Sequence, residues 1–212
     1  MNKNPTSVGF FAILANKIKI MELADLDFTK DYTYADYLKW TFEERLELIK
    51  GKLFRMSGPN SMHQRLAFRI AGPLYNYLKG KSCEAFIAPF DVRLTRLSKD
   101  DKDIVTVVQP DLCVICDPHK VDKRGCIGAP DIVVEILSPG NNKKELNFKY
   151  HVYEEECVQE YWVVIPQEKT FLQYILKYGK YQPSRLLTIG DEVTTEILPG
   201  FVLSLDELFA DA

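Results

Sequence analysis

The sequence predicts an α/β (α+β) protein with a mixed β-sheet flanked by helices. Two observations carry this. The patterned segments run helix, strands, then strand–helix–strand. Residues 132–137 form a continuous apolar run broken by one acid, as expected for a strand covered on both faces. Residues 131–165 then fit one right-handed crossover unit.

Taken in order, Thr33 is a suitable N-cap for a short helix through Trp40, with Tyr34, Tyr37, Leu38 and Trp40 at partly helical spacing. Residues 43–49 and 53–56 flank Lys50-Gly51-Lys52, which reads as a tight turn. Ser61 is placed as the cap of a helix to Leu78, with Leu66, Ile70, Leu74 and Tyr77 on one face. Pro73 should kink that helix or mark a boundary. Residues 85–94 and 105–116 each read as one strand, separated by a charged turn at 98–103. A helix over 145–157 and strands over 160–165 and 171–178 follow. Gly179 turns a hairpin into 180–187, and a short helix ends the chain near 205–209.

The chain has 212 residues, which fits one domain; residues 1–31 are set apart as an extension and 32–212 as the domain. Hydrophobic residues are 46% and charged residues 27%, so a packed core is expected and disorder is not. The net charge of -3 leaves only local basic patches for any contact with nucleic acid: Lys52, Arg55, Arg65 and Arg69, and Arg93 with Arg96. No membrane span is expected, because the early apolar run at 8–15 is too short.

Five cysteines without a spacing framework suggest reduced thiols and a cytoplasmic protein. Cys113 and Cys116 form a CxxC, which would suggest zinc or redox chemistry. They fall within one apolar strand, however, where positions three apart point to opposite faces.

Glu135 is the most informative residue. It sits in Ile132-Val133-Val134-Glu135-Ile136-Leu137, where an unpaired carboxylate would cost several kcal/mol. It therefore needs an arginine, a lysine or a metal, unless its strand end emerges into solvent. Asp111 opens a second apolar strand after Pro110. Neighbouring strands that each carry an acid can bring two carboxylates to one ion, and hard oxygen donors favour Mg2+ or Mn2+ over zinc. Asp131 shares the parity of Glu135 but lies roughly 13 Å upstream along the strand, too far for the same ion. Lys149 and Tyr153 are four apart on the next helix and share a face. That helix packs back over the strand it follows, so Lys149 can project toward Glu135; otherwise it is a surface lysine. Lys143 and Lys144 are assigned to the polar loop before the helix.

Pro110-Asp111 followed by Glu135-Ile136-Leu137 resembles the PD-(D/E)XK nuclease motif, with Leu137 at the position of the motif lysine. Glu135-Ile136-Leu137-Ser138-Pro139, then Glu145, Lys149, Tyr153 and Glu160-Tyr161-Trp162, is similar to the Uma-type family of restriction-endonuclease-like proteins. In that family the lysine sits on the following helix, which places it at Lys149. The resemblance covers roughly residues 32–206 and includes Glu47-Leu48-Ile49-Lys50-Gly51 and His63. It implies a restriction-endonuclease-like fold and phosphodiester hydrolysis, with DNA as the expected substrate and a homodimer as the expected assembly. Asp111, Glu135 and the Ile136 carbonyl would hold Mg2+ or Mn2+, and Glu47 would bind the ion directly or through water. Lys149 would orient the attacking water or stabilise charge on the phosphorane. His63 would contact phosphate or act as a base, or else cap its helix or face solvent. The competing class is a catalytically silent binding or assembly module on the same scaffold.

Overall fold

The computed structural model describes residues 22–56, 58–96, 98–138 and 143–210, with backbone alone at 143–145. Most of residues 1–31, set apart above as an extension, lie outside this description. Those that are described pack on the domain: Leu26 is buried with Tyr34 and Leu46.

In chain order the elements are α1 (Tyr34–Tyr37), β1 (Leu46–Ile49), β2 (Lys52–Arg55), α2 (Ser61–Leu78), β3 (Glu84–Ile87), β4 (Val92–Arg93), β5 (Val107–Val108) and β6 (Leu112–Ile115). There follow β7 (Val121–Asp122), β8 (Gly125–Ile127), β9 (Ile132–Ile136), α3 (Lys143–Glu155), β10 (Glu160–Ile165), β11 (Thr170–Lys177) and β12 (Lys180–Pro183). The chain ends with β13 (Leu187–Thr188), β14 (Glu192–Thr194), β15 (Val202–Ser204) and α4 (Leu205–Leu208). This is the mixed α+β architecture the sequence predicts.

Two main sheets form. The first has the order β2-β1-β5-β4-β8-β7. The second has the order β12-β11-β10-β9-β6-β3, with β13 also on β11. β9 and β10 run parallel, joined by α3, as the crossover pattern requires. Residues β14 and β15 form a separate hairpin.

Parity divides the second sheet into two cores. Leu112, Val114, Ile132, Val134 and Ile136 face α2, α4 and the β14–β15 hairpin. Cys113, Ile115 and Val133 face α3, and also Ile49, Val92 and Val108 of the first sheet. Cys113 and Cys116 thus fall on opposite faces, as period two demands. Within the first core Trp162 is fully buried and donates to Glu160 Oε2 at 2.8 Å; Gln173 and Thr195 also donate to that carboxylate. Glu160 is thereby a satisfied structural acid.

Several boundaries differ from the sequence reading. Residues 85–94 are not one strand: β3 lies in the second sheet and β4 in the first, with a bend at the cis Ala88–Pro89 peptide. Residues 105–116 likewise divide into β5 and β6, which belong to different sheets, at Gln109-Pro110-Asp111. Proline has no N–H for a ladder, so the chain can leave one sheet there and enter the other. Helix α2 is capped by Asn60 rather than Ser61: the Asn60 side chain accepts from the His63 N–H at 2.8 Å. Pro73 sits inside α2 without ending it. Lys143 and Lys144 are helical in backbone rather than part of the loop.

The turn at Lys50-Gly51 is as expected, with φ of 50° and 81°, the left-handed pair that a tight hairpin needs. The thiol expectation fails in part. Cys83 and Cys116 are joined by a disulfide, while Cys113, Cys126 and Cys157 are free. Among the described residues no helix is long and apolar enough to cross a membrane.

Candidate active site

Two of the chain crossings between the sheets, β3 to β4 and β5 to β6, meet at one corner, and a cleft of about 430 Å³ opens there. Ile87 and Ala88 come from one crossing, Gln109 and Asp111 from the other; Glu135 and Ile136 end β9 beside them.

The β6–β9 register explains why Asp111 and Glu135 meet. Leu112 pairs with Val134 and Cys113 with Val133, so the next step of the antiparallel ladder sets Asp111 opposite Glu135. Directly opposed side chains share a face with Cβ atoms roughly 5 Å apart. Asp111 Oδ2 accepts the Ile136 N–H at 2.7 Å, which fixes the carboxylate to the end of β9. A strand residue points its N–H and C=O the same way, so the Ile136 carbonyl faces this side too.

Lys149 comes from α3. Its buried face carries Lys149, Val152 and Tyr153 at helical spacing, and that face covers β9. Lys149 Nζ lies 3.0 Å from Glu135 Oε1. Tyr153 donates its hydroxyl to the same oxygen at 2.8 Å. Tyr153, one turn after Lys149 on the same face, thereby joins the site through its hydroxyl.

Glu47 comes from β1 in the other sheet and is fully buried. Gln109 donates its N–H to Glu47 Oε1 at 2.7 Å. Lys149 Nζ sits 2.9 Å from Glu47 Oε2 as an ion pair. Lys149 therefore joins an acid from each sheet. His63, on the buried stripe of α2 with Leu66 and Ile70, places Nε2 3.0 Å from Asp111 Oδ2. It caps nothing and does not face solvent; its Nδ1 has no partner among the described residues. The structure thus brings together all six residues expected at the site: Glu47, His63, Asp111, Glu135, Ile136 and Lys149.

The electrostatics follow from this crowding. Burial pushes the Glu135 carboxyl up to about 8, with the Asp111 and Glu47 charges adding to the rise and Lys149 opposing it. Burial, with Glu135 nearby, also holds the Tyr153 hydroxyl well above its usual range, so it stays a neutral donor. Among the described residues no group of three or more His, Cys, Asp or Glu side chains could hold a metal by itself. Asp111 Oδ1 and Glu135 Oε2 accept no hydrogen bond among those residues. Two hard carboxylates with one oxygen each to spare, beside a main-chain carbonyl, suit an ion that keeps several waters.

Asp131 stands apart as a strand-start residue, accepting the Cys116 N–H at 2.7 Å. Of the basic side chains proposed for nucleic acid, Arg93 is fully buried and structural. It donates to Cys126 O at 3.1 Å and Asp122 Oδ1 at 2.6 Å. Arg69 donates to the carbonyls of Leu208 and Ala210 at the end of α4. Arg55 lines the cleft, whereas Lys52 pairs with Asp31. Sequence reasoning missed Arg45 and Gln109, which also line the cleft.

Comparison with known proteins agrees with this picture. A protein of Synechocystis sp. (strain ATCC 27184 / PCC 6803 / Kazusa), the uncharacterized protein slr1290, is 27% identical over 132 residues, 61% of this chain and 66% of that protein. A second from the same organism, the uncharacterized protein sll1609, is 24% identical over 158 residues, 73% of this chain and 85% of that protein. The chain thus spans about two thirds of the length of the first and more of the second. The crystal structure of a "putative nuclease belonging to DUF820" from Anabaena variabilis ATCC 29413 superposes with a TM-score of 0.67 at 20% identity, covering 84% of this chain and 98% of that one. That likeness shows a shared fold. Residues 34–206 match the model of the Uma2 family, described as "Putative restriction endonuclease". The match spans most of the chain, and the chain belongs to the Uma2 family of restriction-endonuclease-like proteins.

Proposed function

We propose that the chain is a divalent-metal-dependent endonuclease that hydrolyses phosphodiester bonds, with DNA as the substrate and Mg2+ or Mn2+ as the ion. The observation that carries this reading is the convergence of Asp111, Glu135 and Lys149 on one cleft from two strands and a helix. Family membership supports the nuclease class.

Asp111 and Glu135, with the Ile136 carbonyl, are the residues that would hold the ion; Glu47, expected as a further ligand, has one oxygen on the Gln109 N–H and the other on Lys149, so it serves the lysine instead. When bound, such an ion polarises the scissile phosphate and lowers the pKa of an attacking water. The protein's own groups do the rest. His63 fixes Asp111, and Tyr153 fixes Glu135. Gln109 fixes Glu47, which in turn steadies the Lys149 ammonium. Lys149 orients the water or offsets charge gathering on the phosphorane. The reading includes pairing of two chains, since cutting both strands of a duplex calls for two sites; light scattering reads this directly. It also includes a cytoplasmic location.

One observation favours the alternative, a catalytically silent binding or assembly module. The Lys149 ammonium already lies between Glu47 and Glu135, so the acids have a cation without a metal. Melting in the presence of divalent ions separates the two readings, because only a metal site gains stability from them. The decisive test is Glu135→Ala in plasmid cleavage with Mg2+ and Mn2+. We expect cleavage by the wild type and at least a 100-fold loss in the variant, on the order expected for loss of a ligand or electrostatic group. Equal cleavage by both would reject this site.

A further inference from the structure

Arg45 is a cation on the cleft wall that no carboxylate neutralises by contact. It immediately precedes β1 and shares a strand face with Glu47, two residues on. Its Nε and Nη2 donate to Gln109 Oε1 at 2.9 and 2.7 Å. No carboxylate oxygen lies within 4.0 Å of it among the described residues, in contrast to Lys52, Arg93 and Arg124.

Gln109 decides how the guanidinium is presented. Its Oε1 faces Arg45, while its Nε2 donates to Asp91 Oδ1 at 2.7 Å and approaches the Tyr37 hydroxyl at 3.4 Å. The amide therefore stands between Arg45 and Asp91 and keeps their charges from meeting. One edge of the planar fork, Nε–Nη2, is spent on a neutral oxygen. The other edge, Nη1–Nη2, has no partner at Nη1 among the described residues, and the residue borders the cleft. An arginine held by one edge with the other open matches the bidentate recognition of phosphate.

Charge balance in the cleft asks for such a group. Glu47 and Asp111 repel a phosphodiester, and Lys149 is already engaged by Glu47 and Glu135. Arg55, the other arginine on the cleft, lies 4.9 Å from the Phe28 ring centroid and is solvent-exposed, so it is a rim charge rather than a fixed fork.

We propose that Arg45 forms a phosphate subsite, its open edge gripping the non-bridging oxygens of a nucleic-acid phosphate beside the Asp111–Glu135 pair. The identity of the ligand as nucleic acid rests on the nuclease reading; the anion subsite itself does not.

The test uses the full chain in EDTA, so that neither metal nor cleavage enters. Binding of a fluorescein-labelled DNA duplex is followed by anisotropy across salt concentrations for wild type, Arg45→Gln and Arg45→Lys. Arg45→Gln removes the charge yet can still bond Gln109, which protects the fold. Its affinity should fall about 10-fold, and the slope of log K against log salt should shrink by about 0.9, the loss of one phosphate contact. Arg45→Lys keeps the charge and should keep the slope, losing only the roughly threefold benefit of the fork. Wild-type affinity and slope in Arg45→Gln would overturn the subsite. If wild type binds no DNA in EDTA, titration with inorganic phosphate decides: binding that Arg45→Gln abolishes keeps the subsite, and the plasmid-cleavage comparison with Glu135→Ala judges the nuclease reading separately. Absence of phosphate binding as well removes the subsite.

Discussion

At the residue scale, Glu135 combines three environments that pull in different directions. Burial and the two neighbouring acids disfavour its charged form; Lys149 favours it. With the net shift upward to about 8, the folded protein keeps a proton on Glu135 over a range where the unfolded chain, near 4.5, has released it. The stabilising contribution is therefore complete below about pH 4.5 and is withdrawn as pH rises through about 8. Glu135→Gln carries no such titration. In metal-free buffer, denaturant unfolding at pH 5 and pH 8 should show the variant gaining on the wild type as pH rises. A difference independent of pH would mean that Glu135 titrates as an ordinary acid.

The same residue shows why much of the site could be read from sequence. One acid in an apolar β-branched run is a physical anomaly, and an anomaly needs a partner. Asp111 was legible as the matching acid, whereas Lys149 was legible chiefly through the family resemblance, because Leu137 holds the motif position and helical spacing alone equally suits a surface lysine. Arg93 was not legible. Its partners, Asp122 and the Cys126 carbonyl, belong to the β7–β8 hairpin, which has almost no apolar alternation to announce it. Pairing of Cys83 with Cys116, 33 residues apart, was equally hidden, because spacing alone does not reveal that the start of β3 lies beside the end of β6, where Glu84 pairs with Ile115.

At the scale of elements, strand pattern is legible while sheet membership is not. Period two marks residues 105–116 as extended, but says nothing of a transfer between sheets at Pro110. That transfer makes the cleft, since Gln109 reaches toward Glu47 in one sheet and Asp111 toward Glu135 in the other. Helix α2 adds His63 through its first turn. The Asn60 cap holds the His63 N–H, so cap and active-site contact depend on the same turn. Asn60→Ala should cost about 1 kcal/mol of stability in denaturant unfolding. It should also lower cleavage more than Asn60→Ser, which can still cap. Equal activity of the Ala and Ser variants would separate the cap from the site.

For the whole molecule, the Lys149 ammonium is where the two sheets are tied electrostatically. Glu47 stands on one sheet, Glu135 on the other, and α3 delivers the cation between them. Removing the cation leaves buried acids facing each other, and breaking such a network by removing one partner typically costs 3–5 kcal/mol, here about that much at alkaline pH. Lys149→Met should therefore be destabilised in EDTA, and more at pH 8 than at pH 5. Protonation of Glu135 relieves the repulsion at the lower pH, and its carboxyl is already raised with Lys149 present. If Asp111 and Glu135 hold a divalent ion, Mn2+ should restore part of the missing charge and raise the melting temperature of Lys149→Met by more than that of the wild type. Turnover should stay low, because the ion does not replace the group that orients water or meets the phosphorane. Thermal melts with and without Mn2+, beside a cleavage assay, distinguish the roles. Rescue of stability without rescue of activity assigns Lys149 to chemistry and the acids to metal. No Mn2+ effect in either protein would instead make Lys149 the permanent cation of a purely structural ion network.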